Sequence, residues 1–180
     1  MNPTELAILN RYSCRDFKDT RLSKEETDAL LAAAMAAPTA RNLQELRFNW
    51  IDDQELIQEI SDLCFKQLDP EFLGRMQERG AKNLFYGAPQ LLVISALPTP
   101  YAAMDAGIAA QSVCILAESM GLASCIIALS RKAFCRSNDE HFCERLNFAP
   151  EEEYMVSLAL GHAATKKDPH SSKPEHIRRF

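Results

Sequence analysis

"QLLVISAL", residues 90–97, sets how the rest of the chain must be layered. It is an unbroken run of apolar and small residues entered through Gly87, Ala88 and Pro89. A strand with one wet face alternates, whereas a strand covered on both faces reads as a continuous apolar run. This stretch therefore predicts a fully buried strand, in a sheet wrapped by helices. "SCIIAL" (124–129) and "YMVSLALG" (154–161) read as further short buried strands, with a helix of about a dozen residues expected between them. "RFNWI" (47–51) alternates and carries Phe48, Trp50 and Ile51, so it reads as a strand as well.

The helices that would cover this sheet announce their ends. Asn2, Pro3 and Glu5 form a helix entry, and Ser23 with Glu26 has capping-box spacing ahead of "TDALLAAAMAA". That second helix must end by Pro38, whose ring disfavours helical geometry in the residue before it. Leu56, Ile57, Ile60, Leu63 and Cys64 make a helical stripe, and residues 71–86 read as helix again. "AAMDAGIAAQSVCILAESMG" (102–121) is a long helix rich in small residues, stopped by Gly121. Its Ala103, Ala106, Gly107, Ala110, Val113, Cys114 and Ala117 share one broad side, which suits either core packing or a symmetric dimer seam. The closing "ATKKDPHSSKPEHIRRF" is polar, basic and proline-punctuated, an extended tail that must lie on something else. Helices with interspersed strands give an α/β or α+β fold of one sheet wrapped by helices. Strand order does not follow from these patterns.

With 180 residues the chain suits one domain, and 47% hydrophobic with 25% charged residues is ordinary globular composition. Twenty basic against 25 acidic residues leave a net charge of −5, which argues against broad nucleic-acid or anionic-membrane binding. "MNPTELAILN" lacks a basic region leading into an apolar one, and no apolar run is long enough to span a bilayer. A soluble, cytoplasmic protein is expected. The six cysteines, with no CxxC among them, read as free thiols. Cys135, His141 and Cys143 are crowded together but supply only half of a zinc pattern.

Three segments carry candidate chemistry. "RYSCRDF" (11–17) sets Arg11, Ser13 and Arg15 at a helix-to-strand junction. Paired guanidinium donors and a hydroxyl match phosphate, and a solvated turn would look the same. "APTARNLQ" (37–44) offers Thr39, Asn42 and Gln44 to the edge of a planar heterocycle, or a turn in which Thr39 and Asn42 satisfy their own backbone. "GLASCIIAL" (121–129) has no side-chain acid or base, so any chemistry there must come from backbone N–H groups. There is no GxGxxG, no Walker loop and no GxSxG, and His162 stands isolated after a strand.

Taken in order, these segments resemble the nitroreductase family of FMN-dependent oxidoreductases over nearly the whole chain. "RYSCRDF" resembles the family's R-R-S-x-R-x-F opening, and "APTARNLQELRF" its A-P-S-x-x-N-x-Q-P-W-x-F loop and strand. "YGAPQLLVI" is similar to its G-A-P strand, and "DAGIAAQSVCILAESMGLASC" to its A-x-Q-N…A-x-x-x-G-L-G helix and turn. "ALGHA…DPHSSKPEHI" is similar to its closing G-Y-P…K-P-L-E-E stretch. Glu45-Leu46 replaces the usual P-W, Ser112 follows Gln111 where Asn is usual, and Ala128 stands where some members carry Glu or Gly. His170 and Ser172 stand where many relatives have Lys and Arg.

The resemblance implies an α+β fold with a mostly antiparallel central sheet, a homodimer, and FMN at the subunit interface. Residues 163–180 would extend onto the partner subunit. By the same resemblance, Arg11 and Ser13 would hold the FMN phosphate, Tyr12 would contribute backbone and packing, and Arg15 would sit by the pyrimidine side of the ring. Pro38, Thr39, Ala40 and Asn42 would line the ring, with Asn42 and Gln44 hydrogen-bonding it. Backbone groups of Ala128 or Leu129 would meet its N5 and O4 side, and Ser172 and Lys173 would reach the phosphate. The implied activity is ping-pong reduction of nitroaromatic, quinone or similar acceptors by NAD(P)H, with no protein acid or base. An FMN-binding protein without turnover, or a flavin-free metal-binding interaction protein built on Cys135, His141 and Cys143, are the alternatives.

Overall fold

The computed structural model of the chain describes residues 1–180 except Arg79 and Ser172. Its centre is a four-stranded sheet in the order β1-β2-β4-β3, formed by β1 (Leu46–Ile51), β2 (Gln90–Ala96), β3 (Ala123–Ile127) and β4 (Glu153–Gly161). Every neighbouring pair is antiparallel, with Phe48 opposite Ile94, Val93 opposite Ser157 and Cys125 opposite Ala159. The expected mostly antiparallel α+β sheet is what forms.

β2 lies inside the sheet and is buried along its whole length. Leu91 and Val93 enter one apolar cluster, while Leu92, Ile94 and Ala96 enter the other. Two dry faces explain the unbroken run in the sequence. Each such side chain contributes about 1.5–3 kcal/mol on leaving water, against the entropy of ordering it.

The helices are α1 (Pro3–Asn10), α2 (Lys24–Met35), α3 (Gln54–Lys66), α4 (Pro70–Glu78), α5 (Ala102–Ser119) and α6 (Phe142–Arg145). Both expected capping boxes are present, Asn2 with Glu5 and Ser23 with Glu26. Asp53 caps α3 by accepting from the N–H groups of Glu55 and Leu56. α2 and α5 cover one face of the sheet, and α3 with the segments after β3 covers the other. On α5, Ala106, Ala110, Val113, Cys114 and Ala117 are buried, so that side is core; Ala103 and Gly107 are exposed beside Met104 and Ile108. Gly121 ends the helix at φ 73°, and Leu122 N–H returns to the Ala117 carbonyl.

Two sequence expectations fail. The helix read over 71–86 stops at Glu78, and Asn83–Gly87 is a turn instead. The Asn83 side-chain oxygen accepts from Phe85 and Gly87 N–H at 3.0 Å each, so local side-chain bonds outcompete helix there. Between β3 and β4 stands no dozen-residue helix, but a 3-10 turn (Leu129–Lys132) and the four-residue α6. Asn138 draws the chain back by donating to the Lys132 and Ala133 carbonyls, and stacked Phe134 and Phe148 fill the space a longer helix would need.

Candidate functional site

Residues 11–17 leave α1 in extended form and are stitched to two strands. Ser13 bridges Ser124 in parallel, Cys14 N–H donates to the Ser124 carbonyl (2.9 Å), and Phe17 bridges Ala163. Gly161 makes room for this. A Cβ there would lie 2.8 Å from Pro89 Cδ and 3.2 Å from Phe17 Cδ1. Cys14 and Phe17 are buried and Tyr12 packs on the same core, while Arg11 and Ser13 stay half-buried and Arg15 exposed.

Of Arg11, Ser13 and Arg15, Ser13 lies against β3 and Arg11 lies near Cys114 of α5. Arg11 is close enough to Cys114 to oppose the upward push of burial on its thiol, while Ser13 and Arg15 do the same at Cys125, where burial dominates and the thiol stands at about 11. Neither Arg11 nor Arg15 forms an ion pair or side-chain hydrogen bond with another described residue. Two guanidiniums without a partner among the described residues, four positions apart on one extended segment, have the donor chemistry to hold an anion.

Arg15 also walls a cavity of about 300 Å³ at the C-terminal end of β3, together with Cys125, Ala128 and Leu129. The end of β3 is fixed from below. Ser130 Oγ and Tyr154 Oη both lie 3.0 Å from the Ile127 carbonyl, and Ser157 joins them. That buried network holds the backbone on which Ala128 and Leu129 sit. The turn at 83–87 puts Tyr86 (φ 58°) into the same wall, with the Arg15 guanidinium 5.8 Å from its ring centre.

The 37–45 loop forms a second, separate cavity of about 310 Å³, lined by Thr39, Asn42 and Gln44 with Met35, Leu46 and Phe48. Arg41, Asn42 and Gln44 all have φ between 51° and 55°, a conformation that costs L-residues about 1–2 kcal/mol each. The loop is held regardless. Ala40 N–H donates to buried Asp105 (2.8 Å), Gln44 N–H donates to Thr39 Oγ1 (3.0 Å), and Gln44 Nε2 donates to Asn42 Oδ1 (3.2 Å). Pro38 is exposed and Ala40 half-buried beside it.

The structure thus gathers Arg15, Ala128 and Leu129 at one cavity and Thr39, Asn42 and Gln44 at another, with Ser13 against β3 and Arg11 and Tyr12 on the segment leading to it. Ser172 lies outside the described residues, and exposed Lys173 has no hydrogen bond to Arg11 or Ser13. Instead the tail's earlier part returns to the opening segment. Tyr12 Oη donates to the Thr165 carbonyl, Ala164 N–H donates to Asp16, and Lys167 joins Arg15 and Thr165 around a cavity of about 500 Å³. Sequence reading missed Lys167, Tyr86 and Asp105. The turn residues Asn83 and Gly87, and one acid inside a small-residue helix, were the available signals.

Cys135, His141 and Cys143 do not converge. Cys143 is buried with its thiol toward the Phe134 carbonyl (3.4 Å), while exposed Cys135 pairs with Ser137 (3.0 Å). Among the described residues no three His, Cys, Asp or Glu side chains are placed to hold a metal ion. The metal-centred alternative loses its site.

The chain matches the model of the nitroreductase family over residues 8–162. It is 30% identical to an FMN reductase (NADPH) of Bacillus subtilis across 91% of this chain and 67% of that protein. A nitroreductase with bound FMN from Desulfitobacterium hafniense superposes with a TM-score of 0.92 at 36% identity, covering 100% of this chain and 99% of that one. A second nitroreductase with bound FMN, from Bacteroides fragilis, superposes at 0.85 with 21% identity and full coverage of both chains, which speaks to the fold alone. The family-model match over most of the chain, the 30% identical relative and the superposition at 36% identity agree: the chain belongs to the nitroreductase family.

Proposed function

We propose that the protein is an FMN-dependent oxidoreductase that draws electrons from NAD(P)H and delivers them to nitroaromatic, quinone or similar electrophilic acceptors, the two substrates taking turns at one site. The observation that carries this reading is Arg15, which has no partner among the described residues and walls an open cavity with Ala128 and Leu129, while Arg11 stands equally unpaired four residues earlier on the same extended segment. Such residues fit FMN, a planar ring with a phosphate. Bound FMN would supply the hydride-accepting and hydride-donating centre. Arg11 and Ser13 would grip the phosphate, with Lys173 or Lys167 adding charge from the tail. Arg15 would set positive charge by the pyrimidine edge, and backbone groups of Ala128 or Leu129 would hold the N5 and O4 side. No acid-base pair is needed for this division of labour.

A homodimer belongs to the same reading. Thr39, Asn42 and Gln44 line a different cavity of this chain from the one Arg15 lines. The loop of a second copy would complete the site. Exposed Met35, Leu43, Met104 and Ile108 supply apolar surface for that contact; residues 164–167 return to their own chain's opening segment, and the tail beyond them, ending in exposed Ile177 and Phe180, would pack across it. The chain would act as one domain. Free thiols suit a reducing, cytoplasmic setting, and among the described residues no helix is long and apolar enough to cross a membrane.

The test is anaerobic titration of the purified protein with NADH and with NADPH, followed by an acceptor screen. Yellow protein that bleaches and is restored by a quinone or nitroaromatic supports the reading. Colourless protein overturns it, and yellow protein that neither nicotinamide reduces leaves flavin binding without turnover. Replacing Arg15 with Ala should lower FMN content or make the flavin harder to reduce; an unaltered content and midpoint potential would remove its assigned role.

A further inference from the structure

The cavity beside β3 has a second cation. Arg75, on α4, lines the same 300 Å³ space as Arg15, Ala128 and Leu129, and its guanidinium lies 5.8 Å from the Phe72 ring centre. Phe72 and Tyr86, the two rings beneath the two guanidiniums, are wall residues too. Among the described residues no Asp or Glu lines the cavity, in a chain whose net charge is −5. A planar apolar wall flanked by two guanidiniums is matched by a planar molecule carrying an anionic group.

The two cations differ in how they are held. Among the described residues Arg75 is paired with Glu71 alone, one helical turn away, at 2.6 Å, and the two side chains are 52% and 80% exposed. A pair so exposed holds its arginine weakly. A guanidinium that already holds a weak carboxylate partner can exchange it for an anion that arrives and leaves, whereas Arg15 has no such partner among the described residues.

We propose that Arg75 is a specificity-determining residue, making this site prefer planar electron acceptors that carry a carboxylate over their neutral counterparts. The proposal rests on the oxidoreductase reading above and names the acceptor class for that site. Glu71 competes for the same guanidinium, so it tempers the preference.

The test uses the flavin-loaded protein with 4-nitrobenzoate and nitrobenzene as a matched pair. In Arg75→Gln the ratio of kcat/KM for 4-nitrobenzoate to that for nitrobenzene should fall about tenfold, the size expected for one charge-assisted contact. The loss should sit in KM for the anion. Glu71→Gln should move the ratio the other way, and Arg75→Lys should keep part of the preference. Calorimetric titration of each protein with benzoate reads the same contact without turnover, with weaker binding expected in Arg75→Gln. If both acceptors suffer equally, or if the change appears in KM for NADPH instead, the proposal is overturned. If the protein turns over nothing yet binds benzoate through Arg75, the anion site stands and the oxidoreductase reading fails.

Discussion

Glu45 is the residue most at odds with its surroundings. It stands where the family motif carries proline, it is 3% exposed, and neither carboxylate oxygen has a hydrogen-bond partner among the described residues. Its backbone is well used, since its carbonyl accepts from Leu97 N–H (3.1 Å). The cost is therefore in the side chain. An unpartnered buried polar group costs about 1–3 kcal/mol, and more when charged. Glu45→Met, which keeps the length and removes the oxygens, should raise the melting temperature by several degrees, at about 2–4 °C per kcal/mol for a chain of this size. A lower melting temperature in thermal denaturation would mean that the carboxylate has a partner a single chain does not supply. At this scale the sequence was a good guide to which residues are polar and available, as with Arg11, Ser13 and Arg15. It could not show that Arg15 stands without a counter-ion, because that depends on which acids the fold brings near.

Among the elements, the opening segment and β4 depend on each other. Gly161 is not a turn glycine; it is the spot where Phe17 and Pro89 close over a strand with no side chain. Gly161→Ala should cost about 1–3 kcal/mol by overpacking. Because Phe17 anchors the strand that bears Arg15, the variant should also retain less FMN. Denaturant melts and the flavin-to-protein absorbance ratio would check both, and full flavin retention at reduced stability would uncouple Phe17 from the site. Most elements were legible: the caps of α1 and α2, the doubly buried β2 and the glycine stop of α5 all follow local rules. The failures have a shared cause. Residues 71–86 and 130–145 contain helix-forming residues, but Asn83 and Asn138 bond the backbone from their side chains and break the pattern. No periodicity reveals which bond wins.

For the whole molecule, several weak acids are buried in their neutral form. Burial pushes the Cys64 and Cys125 thiols up to about 11 and the Tyr154 hydroxyl up to about 12. Their folded values are raised above their unfolded ones, so the stability they contribute is complete below about pH 9 and is lost as pH rises through about 11 to 12. Equilibrium unfolding should therefore weaken over that alkaline window, and Tyr154→Phe should flatten its upper part. A stability flat to pH 12 would contradict this. The sequence by itself determined the layering, the helix ends and the family, because these rest on local periodicity, capping chemistry and the order of short motifs. Only the tertiary structure decided that the Arg15 cavity and the Asn42 loop are separate in one chain, that Arg75 and Tyr86 wall the first, and that Lys167 lines a cavity with Arg15. Those facts join residues far apart in the chain, and it is the packing of the sheet and its helices that brings them together.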